Sequence, residues 1–341
     1  SSNPYLGQTL PDSTPLRFGP DYLLSDDTWS WMGSPTFSPD GKEMYFSKYL
    51  YNSDQVKMYY TQDVEGVWTS PQIPGFVGNV KTDDQFFFRD NNTLYIKRDV
   101  TNNDNFSIYS IQRIGNEWST AQLVNLPYNN TMGSISNFSI SNDSTIYFTL
   151  HTALGAFIYK SELISGIYSS FEKLPNQINA YNSSSPFIEK DEKYLLFESD
   201  RPGGYGSSDL YVSFKNNINN WGSPINLGNN VNSNSWEYAP KITPDGKYLF
   251  FCSKRDGDIN SNAYWVDANI IEQLNPHVGM NENNSGTLNI SPLKIAPNPS
   301  KRTTTLFLEL PNTTTISICL FNSSGKKVAE IIKDEIGRAN V

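Results

Sequence analysis

The sequence predicts an all-β fold: a five-bladed β-propeller closed by an N-terminal strand, followed by a small C-terminal β segment. Three observations predict it. Tyr59, Tyr109, Tyr159, Tyr211 and Tyr264 recur at intervals of 50, 50, 52 and 53 residues, each inside a short apolar–polar alternation. Phe46, Ile96, Phe148, Phe197 and Phe251 keep the same step, and so do Trp68, Trp118, Tyr168 and Trp221. Three markers moving in one phase describe a duplicated unit of about four strands, which buries its faces only by stacking on its neighbours.

Each unit can be laid out as strands a to d. In the first, residues 34–37 form strand a, Pro39-Asp40-Gly41 a turn, residues 43–47 strand b, residues 57–61 strand c, and the segment after Trp68 strand d. Proline presets φ and glycine accepts positive φ, so Pro-Asp-Gly between apolar runs is a turn with a mechanism. It returns as Pro244-Asp245-Gly246 and degenerates to Asp90-Asn91-Asn92, Asn142-Asp143-Ser144 and Lys190-Asp191-Glu192. Strand a falls near Phe37, Phe88, Ser139, Ile188 and Ile242, which makes five a–b–c units. Only four are followed by a strand d. Residues 14–20 resemble the segment after Trp68, so the N-terminus is expected to supply the fifth and remove the exposed sheet edges.

The propeller is expected to occupy residues 1–274, ending in a short helix over 266–274 that Pro276 stops. Residues 275–292, rich in Asn, Ser and Gly, read as a linker. Residues 293–341 read as a partial β-sandwich, with alternating strands at 305–310 and 316–321.

Composition narrows the function classes. The 341 residues carry a net charge of −9, which argues against nucleic acid or an anionic membrane as partner. The plain reading of that charge is solubility. No apolar run is long enough to span a bilayer. The two cysteines, Cys252 in a predicted strand and Cys319 in the tail, do not form a disulfide framework. Two separated histidines, His151 and His277, argue against a histidine-rich zinc centre. No Gly-x-Ser-x-Gly elbow occurs, and neither histidine neighbours a nucleophile in the sequence.

The unit core, Ser38-Pro39-Asp40-Gly41-Lys42 followed by Tyr45-Phe46-Ser47, resembles the TolB-like (WD40-like, PD40) propeller repeat. The fourth and fifth units match it most fully, through residues 197–211 and 240–251, and the resemblance covers roughly residues 15–274. It implies a propeller of the kind found in secreted bacterial proteins that bind proteins or glycans. The tail, with Pro297-Asn298-Pro299 and residues 320–328, resembles the C-terminal sorting domain of the Bacteroidetes type IX secretion system. That family continues through a further strand pair, whereas this chain stops at Val341. The resemblance implies export through the periplasm, contact with the secretion machinery and a place outside the cell. Asp12-Ser13-Thr14 and Asp143-Ser144-Thr145 fit the short O-glycosylation motif of such exported proteins.

Candidate sites follow from the layout. Residues just before strand a ring one mouth of a propeller, which here gives Asp26, Asp27, Trp29, Trp31, Asp83, Asp84, Trp236 and Glu237. Aromatic faces beside carboxylates suit sugars or basic peptide groups; the plainer reading is polar loops with tryptophans packed between blades. Asp27, Asp84 and Glu237 come from different blades and could converge as glycosidase acids, although no hydrolase signature surrounds them. Residues 200–206 read as a ligand loop or as a tight b–c connection. Asp256, Asp258 and Asn260 place oxygens at alternate positions, a weak calcium pattern, since Ser261 stands where an EF-hand turn needs glycine. A plain polar loop is the simpler account. No other cofactor is expected. The sequence therefore favours a secreted, non-enzymatic binding or scaffold module for a protein or glycan at the cell envelope. The alternatives are a five-bladed glycoside hydrolase and a structural component of an extracellular assembly.

Overall fold

The computed structural model describes residues 4–51, 55–101, 106–127, 133–216, 218–255 and 257–276. It also describes the backbone of Lys294–Ala296, Thr305–Phe307, Thr314–Phe321 and Lys327–Ile336. Five antiparallel sheets follow one another along the chain. In the first blade, strand a is split into Trp29–Trp31 and Thr36–Phe37, strand b is Glu43–Leu50, strand c Gln55–Val64 and strand d Val67–Trp68. The second blade runs through Lys81–Phe87, Thr93–Asp99 and Ser107–Ile114, with Glu117–Trp118 and Gln122–Leu123 outermost. The third uses Ser134–Ile140, Ile146–Thr152, Gly155–Ser161 and Glu172–Lys173, and the fourth Ser183–Ile188, Tyr194–Ser199, Asp209–Phe214 and Ile225–Asn226.

The fifth blade is Glu237–Ile242, Tyr248–Ser253 and Asn262–Asp267, and its outermost strand is Leu16–Arg17 from the N-terminus. The expected closure is therefore present. Arg17 lies opposite Tyr264 in register, and the Phe18 N–H donates to the Ala263 carbonyl at 2.8 Å. Arg17 also forms a bidentate pair with Asp258 at 2.8 and 2.9 Å. Strand c of this blade runs through Asp267, so the helix is shorter than expected and occupies Asn269–Leu274. The ladder hydrogen bonds of Val266 and Asp267 outcompete a helical start.

The repeating aromatics have one physical role. Phe46, Ile96, Phe148, Phe197 and Phe251 lie directly opposite Tyr59, Tyr109, Tyr159, Tyr211 and Tyr264 in the b–c ladders of successive blades. Four of these pairs are stacked, with centroids 5.8 to 6.2 Å apart. Cross-strand aromatic pairs of this kind fix the register, because a slip of one residue would turn every side chain to the wrong face.

Five hydrophobic cores lie between the blades: fifth against first, first against second, and so on round to fourth against fifth. An open row of five blades would have four such interfaces; five close the ring. The strand-d tryptophans sit in these interfaces. Trp118 of the second blade donates from Nε1 to the Tyr45 hydroxyl of the first, and Trp221 of the fourth packs edge-on to Tyr147 of the third.

The chain divides after Asn275 into two compact units. In the second, Lys294–Ala296 pairs with Thr305–Phe307, and Thr314–Phe321 with Lys327–Ile336. Pro297-Asn298-Pro299 and the turn at 322–326 lie outside the described residues, as does nearly all of the linker.

Candidate functional site

Four inner strands carry a bulge at the same level: register shifts fall between Asp83 and Gln85, Ser136 and Phe138, Ser184 and Phe187, and Tyr238 and Lys241. The first blade interrupts its inner strand at the corresponding place. Asp84, Asn137, Ser185 and Ala239 sit there at positive φ, between 32° and 53°. A bulge re-aims one side chain, and here it brings groups of neighbouring blades together. Asp84 accepts from Asn137 N and Nδ2, both at 3.0 Å. A Cβ on Gly33 would stand 3.5 Å from Asp84 Oδ1 and 4.0 Å from the Ala239 Cβ. On either side of this level lies a mouth, one framed by the segments before strand a and the other by the a–b turns.

The first mouth holds the residues singled out from the sequence. Asp83 and Asp84 are buried and share the Lys97 ammonium at 3.3 and 3.2 Å. Burial raises the Asp83 carboxyl; for Asp84 the nearby Lys97 and Lys241 charges and the Asn137 donors outweigh burial and hold it low. Glu237 is fully buried, accepts from Ser233 N, Ser233 Oγ and Ser253 Oγ at 2.8, 2.5 and 2.6 Å, and faces Arg255 at 3.3 Å. It fastens the loop before its own strand. Trp31 is wholly buried against Phe46, and Trp29 is buried under the Lys48 ammonium, 4.1 Å from its ring. Asp26 accepts from Thr28 N and Oγ1 at 2.7 and 2.5 Å, which lowers its pKa; Asp27 is exposed. Of the eight, only Trp236 offers a large ring to solvent, inclined at 34° to the Tyr238 ring with centroids 4.7 Å apart. Asp27, Asp84 and Glu237 share no hydrogen-bond partner among the described residues.

Two features of this mouth were not read from the sequence. Ser136 Oγ lies 2.6 Å from His151 Nε2, which corrects the reading that neither histidine has a nucleophile beside it. They sit on neighbouring strands fifteen residues apart, a proximity that only the a–b pairing creates. No described carboxylate hydrogen-bonds the other ring nitrogen, so the pair lacks the third group that orients a triad. The second feature is Glu198, buried and hydrogen-bonded by Ser184 Oγ, by Ser185 Oγ at 3.4 Å and by Trp236 Nε1 at 3.0 Å.

Burial without a cation pushes the Glu198 carboxyl up to about 7. The unfolded carboxyl releases its proton near 4.5 and the folded one near 7, so its stabilising contribution is complete below the lower value and lost as pH rises through the upper. The loss amounts to on the order of 3 kcal/mol. Urea unfolding at pH 5 and pH 8 is expected to show that loss in the native chain and little of it in Glu198→Gln. Equal pH dependence in both would remove Glu198 as the cause.

The loop at 200–206 is a tight connection: Asp209 accepts from Tyr205 N and Gly206 N at 2.7 and 2.9 Å, and a Cβ on Gly206 would overlap the Ser235 carbonyl oxygen. Of the calcium candidates, Asp256 lies outside the described residues. Asp258 is engaged by Arg17 and Asn262, and Asn260 by the Tyr51 hydroxyl and the Asp26 carbonyl. Among the described residues no group of three acidic, His or Cys ligands could hold a metal ion. In the second glycosylation motif Thr145 is buried, while residues 12–14 are exposed.

The open concavity is at the other mouth. A cavity of about 520 Å³ lies between the a–b turns, walled by Phe86, Phe88, Ile140, Phe187 and Ile242, with Lys241 beside them. None of the eight residues named from the sequence lines it. Adjacent turns are tied together around it: Asp40 N donates to Asn91 Oδ1 at 3.1 Å, and Asn142 Nδ2 to Asp191 Oδ1 at 2.7 Å. Because strands a and c run parallel, the c–d hairpins open on this same face. Their tips expose Val64, Val67, Ile114, Ile164 and Ile167.

Neither protein-family models nor curated proteins match the sequence. Among solved structures the chain is similar to TolB from Acinetobacter baumannii, at 16% identity and a TM-score of 0.42, over 71% of this chain and 55% of TolB. It is also similar to the catalytic domain of the GH62 α-L-arabinofuranosidase from Coprinopsis cinerea, at 13% identity and a TM-score of 0.43, over 70% of this chain and 96% of that one. A third is prolyl oligopeptidase B from Galerina marginata, at 12% identity and a TM-score of 0.41, over 67% of this chain and 32% of that one. The chain thus spans about half the length of TolB and a third of the oligopeptidase. Among the described residues no helix is long and apolar enough to cross a membrane.

Proposed function

We propose that the protein is an exported, non-enzymatic binding module that takes a protein partner on the face built from the a–b and c–d turns. One observation carries this reading: the open cavity lies on that face and is walled by phenylalanine and isoleucine. The buried acids of the opposite mouth are engaged by Lys97, Arg255 and hydroxyl groups. A cavity of this size that combines apolar walls with convergent polar groups, here Lys241, Arg89, Asn142 and Glu189, is the usual form of a binding site, and apolar hairpin tips on the same face extend the contact area to protein dimensions. The acidic chain as a whole favours a protein over an anionic membrane. The export part of the reading rests on the sequence resemblance of the tail, and so does a place at the cell envelope.

The test is a pair of variants of the full chain. Phe88→Glu is expected to reduce binding of an envelope protein, quantified by surface plasmon resonance once that protein is identified, by about a hundredfold. Trp236→Ala is expected to leave it unchanged. Release of sugar from chromogenic glycosides between pH 4 and 9, lost in Asp84→Asn or Glu237→Gln, would replace this reading with the hydrolase.

A further inference from the structure

The charges around the cavity are unequally satisfied. The Lys241 Nζ donates to two neutral oxygens, Thr36 Oγ1 at 3.0 Å and the Gln85 carbonyl at 2.9 Å. An ammonium has three donors, and no carboxylate pairs with this one among the described residues. At the rim, Arg89 lies over the Phe88 ring at 4.5 Å and has no described anion partner. The two acids of the lining are occupied by their own turns. Glu189 Oε2 accepts from Asp191 N and Lys193 N at 2.9 and 3.3 Å; Asp245 Oδ1 accepts from Thr243 Oγ1 and Lys247 N at 2.6 and 3.1 Å. In a chain of net charge −9 this leaves a chamber whose inner end carries an ammonium with a donor to spare, hydrogen-bonded to no carboxylate and sharing the field of Asp83 and Asp84 with Lys97, and whose rim carries Arg89.

We infer that the cavity recognises the C-terminal end of a partner chain, with the terminal carboxylate on Lys241 Nζ and the last apolar side chains against Phe86, Phe88 and Phe187. The inference rests on the reading of this face as the binding surface. A carboxylate would supply the missing acceptor as a charge-assisted hydrogen bond in a dry setting, where such bonds are strongest. The cavity volume suits a few residues, and the exposed hairpin tips on the same face favour a protein chain over a free small acid.

Burial pulls the Lys241 ammonium down to about 8. The charged groups facing it are Asp84 and Asp83, held by Lys97, together with the Cys252 thiol, which burial pushes up to about 12. Carboxylate binding therefore captures a proton above pH 8 and weakens by about tenfold between pH 7 and pH 9.

The experiment uses the full chain and hexapeptides carrying every pair of apolar residues at their last two positions, each made as free acid and as C-terminal amide. A subset of the free acids is expected to bind, with the matching amides about tenfold or more weaker. Lys241→Met is expected to abolish the acid–amide difference and Lys241→Arg to keep it, with a melting curve of each variant showing that it is folded. Equal binding of acids and amides would overturn the inference, as would no binding by any free acid up to about 1 mM. So would 4-phenylbutyrate binding as tightly as the best peptide, which would make the ligand a free acid. If a partner protein still binds in a Phe88-dependent way, only the carboxylate inference fails and the binding face stands.

Discussion

Phe18→Ala is expected to lower the stability of the propeller by about 3–5 kcal/mol and its melting temperature by on the order of 10 °C. Phe18 is fully buried, with its ring 4.8 Å from Phe250, 5.3 Å from Trp265 and 6.1 Å from Phe37. It joins the last blade to the first through a residue that belongs in sequence to neither. The neighbouring N-terminal turn adds Tyr5, which stands against Phe37, Tyr248 and Trp265 at 5.1 to 5.5 Å. Removing residues 1–20 is expected to do more, because strand Asn262–Asp267 would become an unpaired edge open to pairing with other chains. A peptide spanning residues 4–20, added in trans, is expected to recover part of the lost stability. A melting temperature within two degrees of native in Phe18→Ala, by about the usual scatter of surface substitutions, would contradict the closure.

Lys97→Met is expected to cost about 3–5 kcal/mol at neutral pH, since it removes the ammonium that touches both buried carboxylates and leaves them only the more distant Lys241. Lys97, Asp83 and Asp84 are all buried, so water cannot replace the ammonium. The sign of the pH dependence follows. Without Lys97 both carboxyls titrate higher in the folded state than in the unfolded one, so the variant is expected to be most nearly native at low pH and to lose stability as pH rises. Lys97→Met combined with Asp83→Asn and Asp84→Asn is expected to regain most of the loss. Chemical denaturation of the three proteins at pH 5 and 8 reads this directly. A loss in Lys97→Met that the added substitutions do not reduce would mean packing, not charge, sets the cost.

The parts of the fold legible in the sequence are those set by local pattern. The Tyr and Phe ladders announce the b–c pairs because each marker has to meet its opposite across one hairpin, and residues 14–20 announce a strand d because they repeat its Trp68-like segment. The bulges were not legible: Asp84, Asn137, Ser185 and Ala239 share a backbone conformation but no residue type. Acids and tryptophans ahead of strand a read as a polar mouth, yet Glu237 and Trp31 are buried because Ser233 and Arg255 close over the one and Phe46 packs on the other once each blade has paired its own strands. The cavity is built the other way round. Phe86, Phe88, Phe187 and Ile242 each look like ordinary strand residues, and Lys241 like a strand-edge charge. Only the closed ring brings them from three blades into one chamber.

The most direct measurement of where the protein works is photo-crosslinking from single positions in the full chain. A benzophenone amino acid at Phe88 samples the a–b-turn mouth; the same group at Leu154, exposed on the b–c hairpin of the third blade, samples the opposite face. Incubated with the envelope fraction of the source cells, the Phe88 position is expected to capture one defined protein and the Leu154 position none. The same protein captured from Leu154 and not from Phe88 would contradict the account and return the search to the mouth beside Trp236.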